Sequence, residues 1–437
     1  MPTSRGSLNG IASANKRRAT KSLAFAFPDT NTGVTERLPL SRDGWLLFAT
    51  CAVRSFAYGF LSVILGLYLD AVGLGPAAIG WIFTAALAGG AVMTIIITGV
   101  ADRLGRRALL IAGAALMALA GWIFAVSDNP IFLAIAAIFG TISPSGKEVG
   151  PFLSIEQAIL PGTTSDRHRT VVFSVYNLVG SFAGAIGALV VGLPALFSFT
   201  TISGYRLLVW CYVGSAIVLG LSFALLSPSV EADRITASSN RKVGLQKSRA
   251  MVAKLAGLFA LDAFAGGFIV QSIVAYWFYL RFKTNLSALG GIFFGTNLLA
   301  AVSFLAAPAI ARRFGLLNTM VFTHLPSNFL ILLVPLMPDA ELAVAVLLIR
   351  HLLSQMDVPT RQSYTMAVVE PEERAASAGI LSVARNTGAA IAPLFTGAIL
   401  TSPSLGLPFL LAGGLKIVYD LWIFAVFRNV KPPEEKT

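Results

Sequence analysis

An all-α membrane protein, with twelve transmembrane helices in two six-helix bundles related by a pseudo-two-fold axis, is the fold class this sequence predicts. Three features carry that prediction. First, only 12% of the 437 residues are charged and 56% are hydrophobic, with a mean hydropathy of +0.76, whereas soluble globules carry about 25% charge. Second, the apolar residues fall into twelve helix-length runs, matching the ~20 residues that cross a ~30 Å hydrocarbon core and not the ~10-residue alternating segments of a barrel. Third, the two halves repeat each other at a near-constant spacing.

Residues 1–42 are rich in Ser, Thr, Lys and Arg, include Lys16, Arg17 and Arg18, and have no apolar core of signal-peptide length, so they read as a basic cytoplasmic tail. An organelle transit peptide is the alternative. The apolar runs then cover approximately 45–69, 77–99, 108–126, 130–160, 171–194, 206–226, 252–280, 287–310, 317–337, 340–370, 376–399 and 405–427. An even number returns both termini to one side. With the amino terminus inside, inner segments hold 23 Lys and Arg, and the outer connections hold only Arg206, Arg281 and Lys283. This positive-inside asymmetry predicts a multi-pass protein of the cell inner (plasma) membrane with both termini cytoplasmic. It also accounts for the net charge of +12 without nucleic acid. Cys51 and Cys211 lie within apolar runs, so neither a disulfide framework nor a metal site is indicated.

The longest interior break, the polar linker 227–250, separates an N-terminal bundle at 43–226 from a C-terminal bundle at 251–430, with a short tail at 431–437. At an offset of 208, Phe56, Ala57, Gly59, Phe60 and Tyr68 recur as Phe264, Ala265, Gly267, Phe268 and Tyr276. Pro151 recurs as Pro359, and Ser174, Val175 and Gly180 as Ser382, Val383 and Gly388. A shared offset across several helices marks an internal duplication. Because each copy has six spans, the copies keep one orientation and should be related by an axis along the membrane normal.

Between the second and third runs lies Gly99–Arg107, a dense polar turn. Its Asp102, Arg103, Gly105 and Arg107 resemble the signature loop of the major facilitator superfamily. Thr98 departs from that pattern where its first glycine belongs, and Ala108 departs at its last basic position. The loop returns in worn form at an offset of 210, with Gly315 for Gly105 and Arg312-Arg313 for Asp102-Arg103. The resemblance covers about residues 43–430. It implies alternating access, a central cavity lined by spans 1, 4, 7 and 10, and a gating latch formed by Gly99, Asp102, Arg103, Gly105, Arg106 and Arg107. Read from the residues alone, the same loop could simply stop one helix and anchor the next.

A charge at mid-bilayer is costly and needs a partner, a cavity or a function. Such residues concentrate in a few spans: Arg54 in the first; Lys147, Glu148 and Glu156 in the fourth; Asp262 in the seventh; Arg350, Asp357 and Arg361 in the tenth; Arg385 in the eleventh. Arg54 and Asp262 are equivalent under the 208 offset and could pair across the axis, as a structural tie or as part of a site. Arg350, Asp357, Arg361 and Tyr364 would share one stripe of a continuous helix. Gly146 through Pro151 interrupts the fourth run and permits a local opening there. Lys416 and Asp420, spaced i, i+4, are expected to pair locally, and His324 to be a satisfied interior histidine.

These features point to a secondary active transporter of a small charged or zwitterionic solute driven by a proton gradient, since buried carboxylates beside arginines can take up and release protons. The coupling candidates are Glu148, Glu156, Asp262 and Asp357, with Asp262 first. No Gly-rich phosphate loop supports an ATP-driven pump, and nothing indicates an enzyme or a cofactor, although His351 near Asp357 keeps a membrane-embedded enzyme in view. The expected partners are solute, protons and the lipid bilayer, with the chain a monomer. A cavity with five cations and four anions suits a polar cargo over a lipophilic drug. A drug/proton antiporter is the alternative, weakened because the resemblance implies a Gly-Pro signature in the fifth span, where Gly184 is followed by Ala185. A non-transporting membrane receptor on the same scaffold is another alternative, and it usually carries a large soluble extension.

Overall fold

The computed structural model describes residues 26–27, 36–37, 40–147, 151–164, 169–197, 199–231, 247–370, 373–400 and 405–430. Glu148, most of the 227–250 linker and the side chains of Asp102 and Arg103 lie outside the described residues. The chain forms two units, residues 1–39 and 40–437. In the first, Ala26–Phe27 (β1) and Glu36–Arg37 (β2) form a two-residue antiparallel pair, with Ala26 opposite Arg37. The remainder of the predicted tail up to Pro39 is outside the described residues.

The second unit is helical. Its first six spans are α1 (Arg42–Ala71), α2 (Pro76–Leu104), α3 (Arg106–Val126), α4 (Pro130–Phe139) with α5 (Pro151–Ile159), α6 (Arg169–Leu189) running on through a tight turn to α7 (Leu193–Leu196), and α8 (Thr201–Ala224). The last six are α9 (Arg249–Gly267) with α10 (Gln271–Phe282), α11 (Leu286–Phe314), α12 (Leu316–Leu333), α13 (Ala340–Ser354) with α14 (Asp357–Val368), α15 (Arg374–Ile399), and α16 (Leu407–Phe427). Among the described residues, ten helices are long and apolar enough to cross a membrane by themselves. The fourth span misses that mark because it is broken, and α15 because Arg385, Asn386 and its small residues dilute its hydropathy.

The repeat is visible in the helices themselves. α2 and α11 are each 29 residues long, and both end on a glycine with positive φ, Gly105 at 94° and Gly315 at 86°. Side chains other than glycine rarely tolerate that backbone, so each glycine ends one helix and lets the next start at once in a new direction. Within the first half α1 packs on α6 and α3 on α8; within the second, α9 packs on α15 and α12 on α16. Between halves α2 crosses α15, α6 crosses α11, and α1 meets α10. The first crossing is a backbone contact: a Cβ added at Gly80 would stand 2.5 Å from the Pro393 carbonyl oxygen. Its counterpart is Gly290, where a Cβ would stand 2.8 Å from the Ala188 carbonyl oxygen.

Among the described residues, three spans are discontinuous. The fourth opens at Gly140, earlier than the sequence suggested, with Thr141 and Gly146 at φ 54° and 67°. The runs 252–280 and 340–370 were expected as single helices, and both break instead, at Phe268–Val270 and at Gln355–Met356. Pro359 gives a reason for the second break. It sits in the first turn of α14, where its missing N–H is not needed, but its ring would clash with the Gln355 carbonyl of a continuous helix. Outward, large apolar side chains such as Trp81, Leu305 and Trp422 are exposed, as a lipid-facing surface requires.

Candidate functional site

One end of the seam between the halves is closed by hydrogen bonds. Gln271 Nε2 donates to Ser62 Oγ at 2.9 Å, Ser272 Oγ to the Ser62 carbonyl at 2.6 Å, and Tyr276 Oη to Asp70 Oδ1 at 2.6 Å. The backbone N–H of Ser272 reaches the Pro144 carbonyl at 3.0 Å. Thus the break in the seventh span is held against α1 and the loop between α4 and α5. Beyond this seal lies a cavity of about 570 Å³ lined by both halves, from Thr94 and Gln157 on one side to Asn297 and Asn386 on the other.

Most of its charge comes from the second half. Asp262 Oδ1 accepts from Lys416 Nζ at 2.5 Å, and Asp262 Oδ2 accepts from Arg361 at 3.3 Å and Arg385 at 3.2 Å. Arg361 also reaches Asp357 at 2.6 Å and lies over the Phe259 ring at 5.4 Å. Asp262 therefore ties α9 to α14, α15 and α16. Arg350, one residue from His351, donates to its Nε2 at 3.1 Å, and the other ring nitrogen, Nδ1, lies 2.8 Å from the Leu347 carbonyl. That pattern fits a neutral imidazole protonated on Nδ1. Lys147 Nζ is 3.4 Å from Gln355 Oε1 across the seam.

A second cluster sits inside the first half. Arg54 and Glu156 form a bidentate pair at 2.9 and 2.7 Å, fully buried. Thr50 Oγ1 donates to the same carboxylate at 3.0 Å, Tyr176 Oη donates to it as well, and the guanidinium lies 5.0 Å from the Phe152 ring centroid.

Of the residues singled out from sequence, Lys147, Asp262, Arg350, Asp357, Arg361 and Arg385 line the cavity. Arg54 and Glu156 do not, and Arg54 pairs with Glu156 and not with Asp262, because a partner within its own half already satisfies it. Tyr364 leaves the expected stripe, since the break before α14 resets the helical phase. It is buried against Phe427, and its hydroxyl donates to the Val430 carbonyl at 2.9 Å. The expected Lys416–Asp420 pair is also replaced: Lys416 turns to Asp262, and Asp420 lies 2.8 Å from His324 Nδ1 and accepts from Asn328 at 2.7 Å. Sequence reasoning thus missed Lys416 as a cavity residue. Its position well inside an apolar run was the available signal. Five cations and four anions were expected around the cavity; the described lining residues have five cations but only two carboxylates.

In the polar turn after α2, the Glu231 carboxylate accepts from the backbone N–H groups of Arg106 at 2.6 Å and Arg107 at 3.2 Å. It caps α3, where an anion complements the exposed N–H groups. Arg107 also donates to the Ala224 carbonyl at 2.5 Å, so this turn is fastened to the end of α8.

Comparison with known proteins places this architecture. The chain is 29% identical over 425 residues to an uncharacterized membrane protein of Saccharomyces cerevisiae, covering 89% of this chain and 95% of that one. The fold matches the solved nucleoside transporter NupG at 15% identity with a TM-score of 0.69, over 89% of this chain and all of the other. It also matches a bacterial homologue of the human lysosomal transporter Spinster in an inward-facing, unoccupied conformation, at 15% identity and a TM-score of 0.64, over 88% and 94% of the two chains. The human organic anion transporter MFSD10 follows at 16% identity and a TM-score of 0.59, over 87% and 98%. With residues 47–354 matching the family model of the Major Facilitator Superfamily, and with two six-span halves around a polar cavity, the chain belongs to that superfamily of membrane transporters.

Proposed function

We propose that this protein is a secondary active transporter that carries a small charged or zwitterionic solute by alternating access and couples its movement to protons. The observation that carries this reading is the cavity between the halves, with the buried Asp262 carboxylate at its wall among three cations from three other helices. Any motion that separates Asp262 from Lys416, Arg361 or Arg385 removes the charges that favour its ionised form, and burial then favours protonation. Asp357 is the second coupling candidate. Glu156, sealed against Arg54, serves structure.

In this proposal the bundles 43–226 and 251–430 rock as bodies about the seam, with 227–250 as the cytoplasmic linker, both termini cytoplasmic, and the chain working as a monomer in the plasma membrane. The seal at Ser62, Gln271 and Tyr276 then faces outward and the cavity inward. The turn at Gly99, Asp102, Arg103, Gly105, Arg106 and Arg107 acts as a latch for the other state. A polar cavity wall favours this cargo over the lipophilic compounds of a drug/proton antiporter.

The test is solute-evoked proton flux in proteoliposomes, read by an entrapped pH dye over a panel of small anions, amino acids and sugars. Asp262→Asn is expected to abolish the coupled proton signal given by the native protein. Full proton flux in this variant would remove Asp262 from the mechanism.

A further inference from the structure

The geometry points to an organic oxyanion, a carboxylate or phosphate with an uncharged polar body, as the solute, seated at the pseudo-two-fold axis between Lys147 of the first half and Arg350 of the second. This inference rests on the transporter reading and narrows it.

The charge pattern comes first. The described residues lining the cavity carry Lys147, Arg350, Arg361, Arg385 and Lys416 against Asp262 and Asp357. Both carboxylates are engaged: Asp262 by Lys416, Arg361 and Arg385, and Asp357 by Arg361. Among the described residues no carboxylate lies within ion-pair distance of Lys147 or Arg350. Arg350 donates to a neutral ring nitrogen of His351, and its Nε is buried with no partner. A buried guanidinium nitrogen without a partner is costly until an acceptor meets it, and an anion is the strongest one. A cationic or zwitterionic cargo would need a free carboxylate for its amine, and among the described lining residues both carboxylates are engaged.

Position comes second. Lys147 and Gln355 are separated by 208 residues, the same offset that relates the two halves. A residue that touches its own repeat partner sits at the axis, midway between the halves. Both contacts come from broken spans, the fourth and the tenth, and transporters place solutes where discontinuous helices meet. An anion bridging Lys147 and Arg350 would be held by one cation from each half, so binding and the relative placement of the halves would be linked. The volume of about 570 Å³ falls within the ~300–1,000 Å³ usual for small-molecule sites.

The experiment measures thermal stabilisation of the purified full-length protein by charge-matched sets. These are glucuronate, glucose and glucosamine; lactate, lactamide and 1-amino-2-propanol; and glycerol 3-phosphate with glycerol. Inorganic phosphate serves as the bare-anion control. At least one acid is expected to raise Tm while its neutral and cationic partners and inorganic phosphate do not, and a carboxylate or a phosphate hit tells which oxyanion is preferred. Arg350→Gln and Lys147→Gln should each weaken that binding by about tenfold or more, and Arg350→Lys should recover part of it. A panel in which no acid stabilises, in which a neutral or cationic member does so equally, or in which Arg350→Gln binds as the native protein does would overturn the proposal. Flux of the same compounds in liposomes separates the two readings. An acid that binds without moving removes the transporter reading and leaves the anion site, whereas flux of an amine or a neutral sugar does the reverse.

Discussion

Arg54 shows how burial dictates a residue's role. With its side chain fully buried beside Glu156, Thr50 and Tyr176, every charge has a partner, and removing one partner leaves the other stranded in low dielectric. Such a loss costs about 3–5 kcal/mol. Glu156→Gln is therefore expected to lower unfolding stability by an amount in that range, measured by denaturation in mild detergent, while the double variant Arg54→Met with Glu156→Leu recovers most of it. If Glu156→Gln is as stable as the native protein, the pair does not anchor α1 to α5. The sequence displayed the depth of Arg54 but not its partner, because no spacing rule joins Arg54 to Glu156, 102 positions further along the chain. Asp262, Arg361 and Arg385 were each legible as buried charges, but their pairing was not: depth is written locally, whereas pairing is decided by packing.

At the scale of elements, close approach and helix breaks divide the work. The α2–α15 crossing depends on Gly80 meeting Gly397, where even a methyl would collide with backbone 2.8 Å from the Gly397 Cα. Gly80→Leu should cost about 1–3 kcal/mol by overpacking and pry the halves apart at this crossing. The measurement is a chemical-denaturation midpoint set beside Trp81→Ala, a lipid-facing neighbour expected to change little; equal midpoints for the two variants would contradict the crossing. Helix ends were readable where a polar turn marks them, as at Gly105 and Gly315. The breaks at Phe268–Val270 and Gln355–Met356 were not read: the first lies within an apolar run whose hydropathy gives no sign of a missing turn, and the second had its sign in Pro359, which was read only as the repeat of Pro151. The second break is also what takes Tyr364 off the cavity wall.

For the whole molecule, duplication is the governing fact. Repeats at offsets of 208 and 210 anticipated the paired lengths of α2 and α11, the paired positive-φ glycines, and the matched crossings α2–α15 and α6–α11. The asymmetry was less visible: the first half seals its ion pair in its own core, and the second turns its charges to the cavity. Similarity of halves with difference of contents suits a carrier, in which one body supplies much of the binding chemistry and both supply the motion.

Alternation of the seam is the central claim, and pulsed electron paramagnetic resonance on two spin-label pairs in nanodiscs tests it most directly. One pair, at Ala71 and Arg281, reports the sealed end; the other, at Leu104 and Phe314, reports the opposite end. Between neutral and acidic pH, and again in Asp262→Asn, the first distance should gain a longer population while the second gains a shorter one. Two single distributions that stay fixed under every condition, or that lengthen together, would contradict the account.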